Sequence, residues 1–380
     1  MRVTIINCFD TYEHRVDLIH EFFKAKGYDV TVIQSDFRHF KKERREDKKE
    51  DFIFVKSNPY YKNLSVARLT SHYKYANDAF KIVEGIKPDL LYVFVPPNSL
   101  AKFAAKYKQK NKDIKLIFDL IDLWPETMPI GKAKKFPPFK YWGAMRDQSL
   151  KYADLLITEC NLYQTVLDHA IKDIKTETVH LAKKGIEVTR EPKLSEDEIH
   201  LAYLGSINNI IDIEKIKDIT RVISMFKPVT LHIIGDGESR QELIREVKSA
   251  GGVIVYHGKV YDPQEKQDIF DRCHFGLNIM KENVCVGLTM KSIDYFQHGL
   301  PIINNIPADT AEIVDEFGVG VNINNSKDLV KTLSKITSVN NEAIIDMRKT
   351  TLGIYKKLFS IEAYFEKIES LYKEHIIDEE

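Results

Sequence analysis

Cysteine is scarce in this chain of 380 residues. There are four, Cys8, Cys160, Cys273 and Cys285, far apart and without a CxxC spacing. That excludes a disulfide framework and a zinc ribbon as organising devices, and it suits a reducing compartment. Net charge is missing too: Lys+Arg and Asp+Glu each number 56. A general nucleic-acid binder carries a basic excess, so that class loses its main signature, and no nucleic-acid partner is expected. No window of about 18 uninterrupted apolar residues occurs, which removes a spanning helix. The apolar start MRVTIINC gives way to FDTYEHR too soon for a signal peptide. There is no GxxxxGK(S/T) for P-loop phosphoryl chemistry. No acidic DxD-type cluster offers itself to a catalytic cation, so no metal site is assigned. Internal repeats are absent beyond an alternation of strand and helix.

That alternation is what the chain does contain. Near-continuous β-branched runs recur at 3–8, 29–35, 51–57, 89–95, 114–120, 154–160 and 176–182, then at 199–205, 229–235, 253–258, 274–280, 300–306 and 319–323. Runs of this kind fit strands buried on both faces. Helical periodicity fills the gaps, as in RVDLIHEFFKAKG (15–27) and SRQELIREVKSAGG (239–252), each closed by glycine. The class is therefore α/β with parallel sheets and right-handed crossovers. One sheet of thirteen strands would be unusual, so two doubly wound domains are expected, facing across a cleft. The polar stretch 188–200, with Pro192, reads as the joint. The first domain is placed at 1–187 plus a returning C-terminal helix at about 358–380, and the second at 195–357. The segment 38–50, rich in both charge signs, reads as a solvated loop or helix.

In open α/β sheets ligands sit beyond the carboxyl ends of strands, so the loops there carry the candidate chemistry. LTMKSIDYFQHGLP (288–301) reads as a short helix stopped by Gly299 and Pro301. Lys291 sits at its start, against the positive end of the dipole. Either it makes an exposed pair with Asp294 or an anion belongs there. The turn IIGDGESRQEL has Gly235 and Gly237 for close approach to a ligand or for geometry alone, and it stops short of GxGxxG. YLGS puts Gly205 and Ser206 where amides and a hydroxyl can hold a phosphate oxygen, or simply make a turn. FDLIDLWPETMP groups Asp119, Asp122 and Glu126 around Trp124 and Pro125, for acid–base work or for capping. In FDTYEHRV, Asp10 or Thr11 suits an N-cap, and His14 and Arg15 would point from a helix start toward the cleft. GKAKKFPPFKYWGAMR (131–146) has five basic and no acidic residues among aromatics, which suits either a packed domain or the face of an anionic membrane.

Together these stretches resemble a known family. K-x-x-D-Y-x-x-x-G-x-P, as Lys291, Asp294, Tyr295, Gly299 and Pro301, resembles the K-x-x-E-Y-x-x-x-G-x-P signature of bacterial glycosyltransferases of family 4, which have the two-Rossmann GT-B fold. IIGDGESRQEL resembles the family's strand–GDG–helix element, and YLGS the first turn of its C-terminal domain. DLWPETMP is similar to a D-L-W-P-E-S segment of members that build capsule, O-antigen and other exopolysaccharides. The resemblance spans nearly the whole chain. Departures are Asp294 for glutamate, Val286 where many members carry an acid, and no Arg/Lys pair after the YLGS turn, near Ile211 and Asp212.

The resemblance implies retaining transfer of a sugar from a nucleotide donor, by default a UDP-sugar, to a glycan acceptor carried on a polyprenyl lipid. It assigns Asp294 to the ribose hydroxyls, Lys291 to the diphosphate, and Gly287, Leu288 and Thr289 to amide contacts with phosphates or sugar. Gly205 and Ser206 would flank the diphosphate, and Lys259 and Val260 would hold the base by backbone contacts. Asp122 and Glu126 would reach the transferred sugar or acceptor, with Asp10, His14 and Arg15 on the acceptor side and Arg15 a substitute for the missing pair. No cofactor or metal is implied beyond the nucleotide sugar. The expected location is the cytoplasm, at the inner face of the plasma membrane through 131–146. Two other readings share the architecture. One is a non-catalytic partner that keeps the donor fold. The other is a nucleotide-sugar epimerase, which would cast His257 and Asp122.

Overall fold

The computed structural model describes residues 1–128, 130–188, 190–323 and 329–377, apart from the side chains of Ala133 and Lys135. The chain divides into two compact units, Met1–Leu181 with Phe365–Glu380, and Ala182–Tyr364. Each holds one open parallel sheet, and all thirteen apolar runs become strands.

The first unit runs β1 (Arg2–Asn7), α1 (Glu13–Ala25), β2 (Asp29–Ser35), β3 (Phe37–Arg38), β4 (Glu43–Arg44), β5 (Phe52–Val55), α2 (Val66–Ile86), β6 (Leu90–Val95), α3 (Asn98–Lys110), β7 (Lys115–Leu120), α4 (Pro137–Leu150), β8 (Leu155–Thr158), α5 (Asn161–Ile171) and β9 (Thr176–Thr178). Its sheet order is β5-β2-β1-β6-β7-β8-β9. Strand β6 lies inside the sheet with all six residues buried, which explains its unbroken LLYVFV. Helix α1 turns Val16, Ile19, Phe22 and Phe23 inward and ends just before Gly27, whose φ of +73° an L side chain resists. The segment 38–50 is partly a hairpin, β3 against β4, rather than loop or helix. Its charges pair within the segment, as Arg38 with Asp47 at 3.0 Å, and beyond it, as Arg44 with Asp36 and Lys49 with Asp17.

The second unit runs β10 (Ile199–Leu204), α6 (Ile213–Ser224), β11 (Val229–Ile234), α7 (Arg240–Ser249), β12 (Val253–Gly258), α8 (Pro263–Phe270), β13 (Phe275–Asn278), α9 (Met290–Gln297), β14 (Ile302–Asn304), α10 (Asp309–Phe317), β15 (Gly320–Asn322), α11 (Leu329–Ser338) and α12 (Asn341–Leu358). A last helix, α13 (Ile361–His375), contributes its later turns to the first unit, where Tyr372 packs on Phe22 and Phe23. The second sheet has the order β12-β11-β10-β13-β14-β15. One face is sealed by Ile216, Ile219 and Ile223 of α6, Leu243 and Val247 of α7, and Leu333 of α11 against Leu201, Leu231 and Ile233. The polar stretch 188–200 belongs to this unit, held by Lys193 N–H to the Asp271 carbonyl at 2.7 Å; Thr189 lies outside the described residues. Strand order reverses between β10 and β13, so the loops after them open a crevice at the switch point.

Candidate functional site

The crevice is built around the start of α9. Thr289 caps the helix: its hydroxyl accepts from Ser292 N–H at 2.9 Å, and Ser292 Oγ receives the Thr289 N–H at 3.4 Å. The same hydroxyl donates to Asn278 Oδ1 at 2.8 Å, fastening the cap to the end of β13. Asn278 Nδ2 donates to Asn304 Oδ1 and Asn304 Nδ2 to Asn322 Oδ1, both at 2.8 Å, and Asn322 Nδ2 ends the series on the Ala311 carbonyl. A relay of asparagines thus crosses β13, β14 and β15 and sets the height of the helix start.

Lys291 rises from that start into the crevice. Its Nζ is shielded from solvent, has no hydrogen-bond partner among the described residues, and lies 4.3 Å from the Tyr203 ring centre. Burial pulls its pKa down to about 7. The ammonium is not paired with Asp294, as one reading of the sequence expected. Asp294 faces two other lysines, Lys183 at 2.6 Å and Lys266 at 3.7 Å. Neither was singled out from the sequence. Lys183 stands before β10 and joins Ser360 in a parallel bridge, a long-range pairing that no local pattern announces.

Beyond the strand ends two adjoining cavities open. One, of about 420 Å³, is lined by Gly205, Ser206, Lys259, Val260, Lys266 and Asp294, with Tyr261 largely exposed at its rim. The other, of about 260 Å³, adds Thr289, Met290 and Lys291 and shares Gly205, Ser206 and Asp294. The structure thus gathers most of the residues singled out for a donor. Gly287 and Leu288 are buried outside both cavities, and the Gly287 carbonyl accepts from Thr310 N–H and Oγ1. The Thr289 amide is spent in the cap, so amides at this helix start come from Met290 and Lys291.

The glycines of IIGDG serve packing. A Cβ on Gly235 would stand 2.0 Å from the Gly205 carbonyl oxygen, and one on Gly237 2.2 Å from that of Ile207. Ile207 N–H donates to Asp236 O, and Ser239 N–H to Ile207 O, both at 3.0 Å. The two turns interlock backbone on backbone, and together they form the cavity floor.

The first unit has its own cluster, and here expectations shift. Arg15 does not point outward. It is buried in a two-point ion pair with Asp119, at 2.8 and 3.0 Å, and also donates to the Val179 and His180 carbonyls. The strand carries Asp119 inward, where Tyr92 OH also donates to it at 2.6 Å, so Arg15 cannot replace a missing phosphate-binding pair. Asp10 does not cap α1; it accepts from His39 N–H at 2.9 Å and so pins the 39–40 backbone. His14 is exposed. Asp122 accepts from Leu123 N–H, Trp124 Nε1 and Thr127 Oγ1 at 2.6–2.8 Å. Burial raises its pKa against those hydrogen bonds. Burial also pushes Glu126 up, but the hydrogen bonds and charge of the Arg146 guanidinium, both contacts at 2.9 Å, bring it net below its usual value. Any sugar contact by these carboxylates would compete with those partners.

Sequence reading missed the cations beside this loop. The Arg68 guanidinium stacks 4.3 Å from the Trp124 ring, and its Nε has no hydrogen-bond partner among the described residues. His72, one helical turn on, shares Tyr60 OH with His39 at 3.1 and 2.9 Å. Burial first, then the Arg68 charge, keeps both imidazoles neutral, His39 down to about 4. The i,i+4 spacing of Arg68 and His72 in RLTSHY was the available signal. His257, which an epimerase would need, is hydrogen-bonded to His232 at 3.0 Å on β12 and β11.

Residues 198–338 match the family described as Glycosyl transferases group 1. No curated protein matches the chain in sequence. Among solved structures it is similar to sucrose-phosphate synthase from Thermosynechococcus elongatus, at 12% identity and TM-score 0.68, covering 98% of each chain. It is similar to the apo form of the lipopolysaccharide outer core galactosyltransferase WaaB, at 14% identity and TM-score 0.70, covering 98% of this chain and 99% of that one. HepE of Anabaena in complex with UDP matches at 12% identity and TM-score 0.68, over 98% of this chain and all of that one. The fold is GT-B, with two Rossmann-like units.

Proposed function

We propose that the chain is a glycosyltransferase that moves a sugar, with retention, from a UDP-sugar to a glycan acceptor carried on a polyprenyl lipid, in the assembly of a bacterial surface polysaccharide. One observation carries this reading: the desolvated Lys291 ammonium, without a hydrogen-bond partner among the described residues, beside Gly205 and Ser206 at a strand-order reversal. A buried cation of this kind is costly until an anion joins it. A nucleoside diphosphate supplies that anion. Its base and ribose fit the larger cavity along Lys259 and Val260, with Asp294 accepting from the ribose hydroxyls while Lys183 and Lys266 balance its charge. The family match over 198–338 and the UDP held by HepE support the reading.

When the glycosidic bond breaks, negative charge grows on the leaving diphosphate. Lys291 and the Met290 and Lys291 amides lie where that charge develops, already fixed in place. No acid has to protonate the leaving group, and no metal or other cofactor is invoked. Work proceeds at the cytoplasmic face of the membrane, with 131–146 on the lipid side. A second reading, a donor-binding partner without turnover, draws on Asp294 already being held by two lysines.

A thermal-shift panel of nucleoside diphosphates and their sugars tests the assignment. UDP and one UDP-sugar should raise the melting temperature of the wild type, and Lys291→Ala should lose the shift while staying folded. If no nucleoside diphosphate stabilises the wild type, the assignment fails. Transfer of labelled sugar to a membrane-lipid extract, with the product anomer read by NMR, separates turnover with retention from mere binding.

A further inference from the structure

A row of histidines crosses the second sheet, and the transfer described above uses none of them. His200 Nδ1 meets His232 Nε2 at 2.9 Å, and His232 Nδ1 meets His257 Nε2 at 3.0 Å, so three imidazoles tie β10, β11 and β12 together. His274 braces the inner end. Its Nδ1 accepts the His200 backbone N–H and its Nε2–H donates to the Ser195 carbonyl, both at 3.0 Å. At the same end His200 Nε2 faces the Glu198 carboxylate, 3.4 Å away. Each ring-to-ring contact holds one hydrogen, and a carboxylate only accepts. The three neutral rings are therefore assigned one tautomer, each donating from Nε2 toward Glu198. One added proton on His257 Nδ1 breaks nothing, whereas a second would set two N–H groups against each other. Burial first, then the charges of His200, His257 and Arg272, hold the His232 pKa at about 4. Burial and Arg272 lower that of His257 against the pull of Glu265, so the series stays whole at neutral pH.

The outer end of the series sits on an irregularity. Strand β12 lies at the sheet edge and, among the described residues, pairs only with β11. His232 pairs with Val255 and Ile233 with Tyr256, but Ile234 pairs with Gly258, so His257 is an extra residue in its strand. Bulges are rare in parallel pairs, because the skipped residue gives up its place in the ladder. Here the hydrogen bond from the His257 ring to His232 holds the skipped residue down. Immediately after it, Gly258 takes a φ of +70°, and its carbonyl accepts the Gly235 N–H at 2.6 Å. Lys259 and Val260 then enter the lining of the larger cavity beside Ile234 and Gly235.

We infer that His232 and His257 are positioning residues for the larger cavity: the imidazole series sets the β12 bulge, and the bulge sets the backbone of Lys259 and Val260. The rings act at one remove, through the strand. Without the His257 contact, β12 can slip into regular register, which moves the Gly258 carbonyl off the Gly235 amide and carries Lys259 and Val260 with it. What that backbone holds, the base of UDP, rests on the function proposed above. The setting of the bulge does not, so the two can fail separately.

Two measurements on the full chain test it. Hydrogen exchange of the empty protein, read at the Gly235 amide by mass spectrometry with electron-transfer fragmentation, reports the bulge. His257→Leu should speed that exchange about tenfold. His257→Gln, whose side-chain amide keeps a donor near the Nε2 position, should stay within about twofold of the wild type. Calorimetry reports the cavity. His257→Leu should weaken UDP about tenfold and leave inorganic pyrophosphate, which meets only the Lys291 end, unchanged, and His257→Gln should restore UDP. The inference is overturned if Gly235 exchanges in His257→Leu as it does in the wild type. It is equally overturned if His257→Leu weakens pyrophosphate as much as UDP, since that is general damage to the unit. A wild type that binds no UDP, while His257→Leu still loses Gly235 protection and His257→Gln keeps it, overturns the UDP reading and upholds the role of the imidazoles.

Discussion

Binding of UDP should draw a proton from solution. With its pKa near 7, Lys291 is about nine-tenths neutral at pH 8. A diphosphate against Nζ favours the ammonium and returns the pKa toward the ordinary lysine value, so the complex holds the proton that the free protein lacks. The terminal phosphate of UDP has lost its last proton near pH 6 and adds nothing at pH 8. Uptake at pH 8 should therefore be about 0.9 proton per UDP, and the affinity should fall about tenfold per pH unit from roughly pH 7.5 upward. Isothermal titration at pH 8 in two buffers of different ionisation enthalpy measures the uptake directly. Lys291→Met, similar in length and without charge, should show weak binding and uptake near zero. Identical heats in the two buffers for the wild type would refute the claim that Lys291 waits desolvated for an anion.

The same lysine should burden the empty protein. Its folded pKa is depressed, so the unfolded chain binds the extra proton between about pH 7 and 10.5, and stability should rise across that window; urea melts of Lys291→Met should show a gain on the order of 3 kcal/mol at pH 8, and no gain would contradict the burial. Glu126→Ala leaves Arg146, wholly buried, with Asp147 as its remaining carboxylate partner and should cost on the order of 3 kcal/mol. Both tryptophans, Trp124 and Trp142, lie in the first unit, so their fluorescence in guanidinium reports this loss, and an unmoved midpoint would remove the structural role of the pair. Gly235→Ala drives a methyl into the Gly205 carbonyl at a φ of +139°, and should abolish the UDP thermal shift and lower the melting temperature of the second unit by several degrees. A variant that melts and binds as the wild type does would mean the two turns are not interlocked.

Much of the architecture was legible because parallel strands must be apolar on both faces. LLYVFV and LHII could be little else, and the glycine stops after α1 and α7 bound their helices. The lining of the two cavities was legible in part, since Gly205, Ser206, Lys259, Val260, Lys291 and Asp294 lie in loops after strands or in the helix that follows, where α/β sheets gather ligands. What stayed hidden depended on contacts distant in sequence. Lys183 lies 111 residues from Asp294 and Lys266 across another loop, and no spacing relates them. Arg15 looked outward from a helix start because Asp119, its partner 104 residues away, sits on a strand end that also reads as a site. The carboxylates of DLWPET showed the same ambiguity: acids around a proline turn look alike whether they face a substrate or tie the turn down, and only Arg146 and Thr127 reveal their partners.

The asparagine relay has a consequence for how the protein comes into being. The seat of Lys291 is registered by Thr289 on Asn278, and through Asn304 by Asn322 in the last strand of the sheet. A nascent chain that has made β13 and α9 still lacks the residue that closes the series. The hydrogen-bonded series that seats the start of α9 is therefore complete only once β15 has paired, and a chain cut short before Asn322 would leave Asn304 Nδ2 without that acceptor.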